Sequence, residues 1–360
     1  MKFKEYINEK TTKKEFADAL KNPNVRCGCE FEMYISDYGN GSGGSDEDED
    51  DNYDGELDEL DSNYIMSLDF PIELDSNNWE VIDDASLSSN LGGVEVVTPI
   101  MKLPELIDTI EKVFKWMDKY AYTDDTCGFH IHMSINNGKE LDPLKLVLFA
   151  EEGLIYKVFP DRIDNDYATS IKKGHFRFMK PFTIDDIKMM AKKNKIDKEF
   201  NTEKYLGIHL SDLKSNHVEF RYMGGKNYQR KFNDIKMLIA NYTHWLSIAT
   251  DPDYKRKEYI IKMNKLVNYY NYSYLYNVVD YYRRKTQDDY IDYIKEPKLK
   301  KIAIKIASNI IKPYKSKLDS IPKVTERPPL GIKDMLMAGD IASDLFDEFK
   351  KEMSLQLEKK

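Results

Sequence analysis

Four short segments carry the residues whose types and spacing could support catalysis. Three of them place two reactive side chains two residues apart, as Glu30 with Glu32, His130 with His132, and Glu219 with Arg221. Alternate residues of a β-strand point to the same face, so each pair would lie on one side of an apolar strand. Glu95 contributes a single carboxylate from the fourth segment, GGVEVVTPI. Strands lie about 4.8 Å apart, so a sheet built from these segments would gather the charges into one patch.

Carboxylates gathered in this way suit a hard divalent cation. Buried charges are costly unless they are paired or bind a metal, and Mg²⁺ prefers carboxylate and phosphate oxygens. Imidazole is unusual for Mg²⁺ but acceptable to Mn²⁺, and a nearby histidine can instead bond a phosphate. Arg221 beside Glu219 would supply a two-point fork for a transferring phosphoryl group. The pattern therefore predicts an acidic metal centre with phosphate-binding groups around it.

Each pair taken alone has an ordinary structural interpretation. Two glutamates on a strand usually form a solvent-facing strip, and histidine pairs are often satisfied within a core. A glutamate next to an arginine is most often a surface ion pair. Four such segments on apolar strands favour a shared site over four separate coincidences.

In chain order, these segments resemble the motif series of the amidoligase family, the COOH–NH2 ligases related to glutamine synthetase and glutamate–cysteine ligase. The matching residues are Cys27-Gly28-x-Glu30-x-Glu32, Asp84-Ala85-Ser86, Gly93 to Pro99, Cys127 to His132, and Glu219-Phe220-Arg221. FPDRIDNDY, with Arg162 and Tyr167, is similar to the Pro-x-x-Arg…Tyr segment of the family. The resemblance runs from about residue 25 to about residue 245.

The resemblance implies a role for each matched residue. It implies metal ligands, which are Glu30, Glu32, Glu95, Glu219 and His132. It places Arg221 and Arg162 against phosphate or acyl phosphate, and His132 or His130 near metal and phosphate. The residues expected to be catalytic are Arg221, Asp84, Arg162 and His130. Asp84 matches an aspartate expected near the amine substrate. His209 departs from the pattern, because an asparagine-like residue is expected at its position.

The same resemblance implies an ATP- and Mg²⁺- or Mn²⁺-dependent ligase. A carboxylate reacts poorly with an amine at neutral pH because its leaving group would be oxide. Phosphorylation by ATP would convert it into an acyl phosphate, which an amine can capture. The sequence contains neither a GxxxxGK[ST] nor a GxSxG motif. Phosphate binding would therefore have to come from metals and arginines.

The order of segments predicts an α+β fold with flanking helices and a helical C-terminal extension. The family resemblance implies that its sheet is a glutamine synthetase-like curved antiparallel sheet. The predicted divisions are a helical leader (1–24), an amidoligase-like catalytic domain (25–250) and the extension (251–360). Helical spacing marks Leu103 to Tyr120, and DPLKLVLFAEEGLIYKVF reads as one further helix. SNYIMSLDFPIEL reads as a strand, and KYLGIHLSDL with HVEFRYMGG as a hairpin-like pair.

Charge is distributed unevenly along the chain. Residues 46–61 hold eleven acidic residues and no basic one, so the net charge of -9 becomes +2 without them. Together with the preceding glycines and serines they predict an acidic flexible loop over residues 37–62. Residues 255–317 carry sixteen Lys or Arg against six Asp or Glu. A basic helical face of this kind is more often solvated than bound to nucleic acid, which is not expected as a partner.

The remaining features bear on location and on cysteine chemistry. Three cysteines and a polar N-terminus predict a reducing cytoplasm and no membrane segment. Cys27, Cys29 and Cys127 predict buried core thiols, with a three-sulfur zinc site as the alternative. The N-terminus also resembles leader segments of tailed-bacteriophage proteins, which implies phage origin, the host cytoplasm and packaging in a virion.

Three other functions remain open at this point. A guanidino kinase-like phosphotransferase would use the same fold and ATP but phosphorylate its second substrate. A metal-dependent hydrolase would use the histidine and glutamate cluster without ATP. A virion-associated binding or structural protein would need no intact site. For the ligase, the partners would be a carboxylate and an amine from a small molecule, a peptide or a protein terminus.

Overall fold

The computed structural model describes most of the chain and divides it into two compact units. The described residues are 18–20, 22–36, 61–74, 78–82, 87, 92–163, 165–171, 205–210, 216–324, 330 and 332–358. Among them, residues up to Tyr254 belong to one unit and residues from Lys255 onwards to the other. Most of the leader, residues 37–60 of the acidic segment, and Asp84 lie outside the described residues.

The first unit is built on an eight-stranded antiparallel sheet, which confirms the predicted α+β class with an antiparallel sheet. Its strands are β1 (Val25–Ile35), β2 (Glu80–Ile82), β3 (Gly93–Val97), β4 (Met101–Lys102), β5 (Ala121–Tyr122), β6 (Gly128–Ile135), β7 (Ile208–His209) and β8 (His217–Gly224). The strand order is β2-β3-β1-β6-β8-β7, and β4 and β5 also pair with β1. The predicted hairpin-like pair is present as β7 against β8.

One face of the sheet packs against two long helices, α2 (Leu103–Tyr120) and α5 (Phe232–Thr250). The ring of Phe31 on β1 lies 6.0 Å from the ring of Phe114 on α2. On β8, Phe220 stacks on Tyr242 of α5 with ring centroids 4.1 Å apart. Because side chains alternate along a strand, this packing leaves the intervening polar residues on the opposite face.

Two shorter helices replace the single helix predicted over DPLKLVLFAEEGLIYKVF. The structure has α3 (Pro143–Phe149) and α4 (Glu152–Val158), separated by Ala150 in an extended conformation. The Glu152 carboxylate accepts hydrogen bonds from the Ile171 amide and from the Tyr222 hydroxyl, at 2.7 Å and 2.9 Å. These tertiary bonds fix the position of Glu152 independently of α3. The two residues between the helices, Ala150 and Glu151, include no proline or glycine that would mark the break in the sequence.

The segment SNYIMSLDFPIEL begins with a helix, so the strand prediction was wrong there. Helix α1 (Ser62–Ser67) starts after Asp61, whose carboxylate accepts a hydrogen bond from the Tyr64 amide at 2.9 Å. An aspartate in this position caps the free amides of the first helical turn. The last residue of the acidic segment is therefore a helix cap.

The second unit is helical, as the periodicity after Asp251 predicts. It contains α6 (Arg256–Gln287), α7 (Pro297–Ser320) and α8 (Ile332–Glu358). Its core contains side chains from all three helices and the turn before α7, which are Tyr282, Ile291, Ala303, Ala307, Ala342, Phe349 and Met353. No helix in the described part of the chain is long and apolar enough to cross a membrane. The predicted domain limits at 24 and 250 stay predictions.

Candidate active site

Strand register brings the segments singled out in the sequence onto one face of the sheet. Glu30 on β1 lies opposite His130 on β6, and His132 on β6 lies opposite Glu219 on β8. Glu32 lies opposite Glu95 on β3. The glutamates and histidines of four strands are therefore neighbours, although up to about 190 residues separate them in the chain.

Glu30 bonds both histidines of β6. Its Oε2 lies 2.7 Å from His130 Nδ1, and its Oε1 lies 2.6 Å from His132 Nε2. Burial would raise the pKa of this carboxyl, but the two hydrogen bonds and the histidine charges outweigh burial and lower it well below its usual range. For His132, burial acts against the charge, while the bond to Glu30 and the nearby carboxylates raise its pKa overall.

Glu219 is held on both sides by cationic or polar groups. Its Oε2 lies 2.8 Å from His209 Nδ1, and Arg221 Nη1 donates to its Oε1. Burial raises the pKa of Glu219, yet the His209 bond and the Arg221 charge prevail and lower it to about 2. The carboxylate therefore remains ionised at any physiological pH.

Gly128 lets Glu32 and His130 approach the backbone of β6. The Gly128 amide donates to Glu32 Oε2, and Glu32 Oε1 lies 3.5 Å from His130 Nε2. A Cβ atom at position 128 would lie 2.5 Å from His130 Nε2 and 2.9 Å from Glu32 Oε1. A side chain there would displace both groups, so the glycine is part of the site.

Among the described residues, Glu30, His132 and Glu219 form a group that fits a divalent cation. One ligand atom from each lies within 4.8 Å of the other two. Two carboxylates and one imidazole are a donor set that Mn²⁺ accepts and that Mg²⁺ accepts less readily. Glu32 and Glu95 add two further carboxylates to this face, next to Glu30 in the sheet.

The two arginines occupy different positions. Arg221 lies beside Glu219, and its Nε has no hydrogen-bond partner among the described residues. Arg162 is 2% exposed, and its Nη2 donates to the Arg221 carbonyl oxygen at 3.2 Å. Burial lowers the pKa of Arg162, while the charge of Glu32 opposes that effect. Within the described part of the chain its Nε also has no hydrogen-bond partner, so Arg162 keeps unused donor capacity there, close to the acidic group.

Sequence reasoning missed one histidine of the site and misjudged another. His217 Nε2 lies 3.0 Å from His132 Nδ1, and positions 217, 219 and 221 share the face of β8, so the same alternation could have identified it. His209 was noted only as a departure, although it bonds Glu219. Its strand has two residues, too few for the alternation to show in the sequence.

In the described part of the chain, the cysteines form no metal site. Cys27, Cys29 and Cys127 are free and buried, and they are not among the metal-ligating groups of the described residues. Burial raises the pKa of both Cys27 and Cys127 to about 12. The core-thiol prediction is confirmed, and the three-sulfur zinc alternative was wrong.

Comparisons with known proteins place the matching region over this sheet. A family model described as "Putative amidoligase enzyme" matches residues 23–233, which is more than half of the chain. No curated protein matches. Among solved structures, a Plasmodium falciparum glutamine synthetase matches with 13% identity and a TM-score of 0.30. That match covers 64% of this chain and 54% of the other, so the chain spans about half the length of that protein.

Proposed function

This chain belongs to the amidoligase family, and from that premise we propose that it is an ATP-dependent carboxylate–amine ligase working through an acyl phosphate. The observation that carries the proposal is the cluster of Glu30, His132 and Glu219, whose ligand atoms lie within 4.8 Å of one another. Buried carboxylates gathered this closely are stabilised by a bound cation. Arginines beside that cluster supply donors for phosphate oxygens.

The residues that would hold the cation are Glu30, His132 and Glu219, with Glu32 and Glu95 as further carboxylates on the same face. A bound Mg²⁺ or Mn²⁺ would neutralise charge on the phosphates of ATP. His130 bridges the two carboxylates of β1, with Nδ1 2.7 Å from Glu30 and Nε2 3.5 Å from Glu32. We therefore assign it the role of holding those carboxylates in place, a positioning role for a residue first predicted to be catalytic.

Arg221 is the residue proposed to contact the transferring phosphoryl group. Its Nη1 donates to Glu219, which fixes the side chain, while its Nε has no partner in the part of the chain that the structure describes. A guanidinium held in this way can bond two phosphoryl oxygens without first losing rotamer freedom. Arg162, whose Nη2 donates to the Arg221 carbonyl oxygen, would add positive charge and an Nε donor that no described residue engages. Asp84, predicted to orient the amine, lies outside the described residues.

The two substrates are proposed only by chemical class. One is a carboxylate and the other an amine, and each belongs to a small molecule, a peptide or a protein terminus. It remains a prediction that the protein is cytoplasmic, of phage origin and packaged in a virion.

A guanidino kinase-like phosphotransferase would transfer phosphate to its second substrate and leave it phosphorylated. A hydrolase would turn over without ATP.

Calorimetry tests the cation-dependent nucleotide site. The expected result is that Mn²⁺ binds the protein alone and that a non-hydrolysable ATP analogue binds only when Mn²⁺ is present. Glu219→Gln removes a carboxylate from the cation-binding group. Its matched control is Glu105→Gln, an exposed change on α2, which should bind like the wild type. Equal nucleotide binding with and without EDTA would remove the metal from the proposal.

Hydroxylamine tests the reaction itself, because it replaces an amine and converts an acyl phosphate into a hydroxamate. The protein is incubated with ATP, Mn²⁺, hydroxylamine and single carboxylic acids from a panel of amino acids, peptides and cell-wall precursors. Hydroxamate formation that requires both ATP and one acid is expected. Phosphate transfer to a guanidino compound, or turnover without ATP, would instead support one of the alternatives.

A further inference from the structure

His217 extends the candidate site by one residue beyond the cation-binding group. It begins β8 and pairs in register with Ser134, two residues along from His132. His217 and Glu219 therefore share the face that carries His132. The contact joins His217 Nε2 to His132 Nδ1 at 3.0 Å.

The two imidazoles meet edge to edge. Their planes differ by only 11° and their centroids are 5.2 Å apart. A 3.0 Å N···N contact between rings whose centroids are this far apart requires both nitrogens to lie between the centroids. The hydrogen bond therefore runs in the plane of the rings, along the lone-pair direction of the accepting nitrogen. Face-to-face stacking does not describe this contact.

The contact made by His132 Nε2 shows why the group that bonds Nδ1 matters. His132 Nε2 lies 2.6 Å from Glu30 Oε1, and an ionised carboxylate only accepts hydrogen bonds. Nε2 therefore carries a proton in this arrangement. A nitrogen that ligates a cation must be unprotonated, which leaves the proton of a neutral imidazole on Nδ1. That proton then needs an acceptor next to Nδ1.

His217 Nε2 is in position to be that acceptor. A neutral imidazole can donate or accept at a given nitrogen according to its tautomer. The same contact can thus persist whether His132 carries its proton at Nε2 or at Nδ1. Lysine or arginine at position 217 could only donate, and a hydrocarbon side chain could do neither.

We propose that His217 is a positioning residue that holds His132 in the tautomer and ring orientation that present Nε2 to the cation. The inference rests on the proposed cation site but concerns a residue outside its ligand group. Residues of this kind bond the second nitrogen of a ligating histidine and typically change metal affinity by about 10- to 100-fold when removed.

Two substitutions separate the hydrogen bond from the bulk of the side chain. His217→Phe keeps a planar ring but has no acceptor, whereas His217→Gln keeps an acceptor at similar reach. Ser134→Ala, on the neighbouring strand and the same face, is the control. Melting temperatures establish that each variant is folded, and His217→Leu replaces the phenylalanine variant if the latter does not fold.

The readout is calorimetric affinity for Mn²⁺ alone and for Mg²⁺ alone, without nucleotide. His217→Phe should weaken Mn²⁺ binding at least tenfold, on the order expected for a lost outer partner. Mg²⁺ binding should weaken less, because Mg²⁺ depends on the carboxylates more than on imidazole. His217→Gln should restore most of the Mn²⁺ affinity, and Ser134→Ala should leave it unchanged.

Results that contradict the positioning role can be told apart from results that contradict the cation site. Mn²⁺ binding by His217→Phe equal to that of the wild type would overturn the positioning role while the cation site stands. Equal losses in the phenylalanine and glutamine variants, or equal losses for both ions, would also overturn it, because they would indicate general damage to the strand. A wild-type protein that binds neither ion would overturn the cation site and this inference with it.

Discussion

The two faces of strands β1, β6 and β8 are built from alternate residues of the same segments, yet they have opposite chemistry. Glu219 lies on the face with the carboxylates and histidines, whereas the adjacent Phe220 stacks on Tyr242 of helix α5. On β1 the same contrast separates Glu30 from Phe31. The aromatic face stabilises the fold, and that stability lets the other face hold several buried carboxylates close together.

The polar face is itself arranged to limit the repulsion between its carboxylates. Glu30 bonds two imidazoles, and Glu219 bonds an imidazole and a guanidinium. Ion pairs of this kind roughly offset the desolvation of their members and add little net stability. Substitutions on the two faces should therefore have different consequences: loss of stability on one, loss of binding on the other.

The largest expected effect is on the aromatic face. Phe220→Ala should lower the free energy of unfolding by about 3–5 kcal/mol, the usual range for a buried phenylalanine that leaves a cavity. Urea unfolding measures this loss, and Phe220→Leu should give a smaller one. Mn²⁺ affinity, measured below the unfolding transition, should stay within about twofold of the wild type. A large loss of affinity in the folded variant would show that the two faces are not separable.

Glu219→Gln is the matching change on the polar face. It should weaken Mn²⁺ binding by more than about 100-fold, because a directly ligating carboxylate matters more than an outer partner. The free energy of unfolding should change by less than about 2 kcal/mol, since the charge-assisted bonds that are lost are offset by reduced repulsion. Calorimetry and urea unfolding of the same preparation give both numbers. Unfolding at ambient temperature would indicate a structural ion pair and not a ligand.

The alternation that defines the two faces was readable from the sequence, whereas the antiparallel sheet was expected from the family resemblance. Glu30 with Glu32 and His130 with His132 are two residues apart on apolar strands, a local signal. The break between α3 and α4 was not readable, because it depends on Glu152 bonding residues that are distant in the chain. The number of strands between Glu95 and Glu219 was likewise set by pairing, which no local pattern encodes.

Arg221→Lys tests whether the polar face does more than bind a cation. Lysine keeps the charge but loses the planar fork, so turnover should fall by about 50-fold while ATP affinity changes little. Hydroxamate formation with the acid identified from the panel gives turnover, and calorimetry gives affinity. Arg230→Lys, which changes an exposed arginine paired with Asp118, is the control. Unchanged turnover would mean that Arg221 only pairs with Glu219.

Gly128→Ala changes the polar face through the backbone. The added Cβ would lie 2.5 Å from His130 Nε2 and 2.9 Å from Glu32 Oε1, so both side chains must move. We expect Mn²⁺ affinity to fall by about tenfold and unfolding free energy by about 1–3 kcal/mol, as for other overpacked sites. Gly153→Ala is the control, because a Cβ at that position meets no atom within 4 Å. Equal behaviour of the two variants would contradict the close approach at Gly128.

The smallest expected effect is on the aromatic face, which carries none of the site residues. Burial raises the pKa of Cys27 and of Cys127 from an ordinary 9.0 to about 12. Between these values the unfolded chain releases thiol protons that the folded chain retains, so stability is fully present below pH 9 and declines as pH rises. At pH 10 each thiol should account for roughly 1 kcal/mol of that decline. Urea unfolding at pH 8 and pH 10 should therefore show a smaller decline for Cys27→Ala than for the wild type. An identical decline would place this thiol in contact with solvent and contradict the sealed aromatic face.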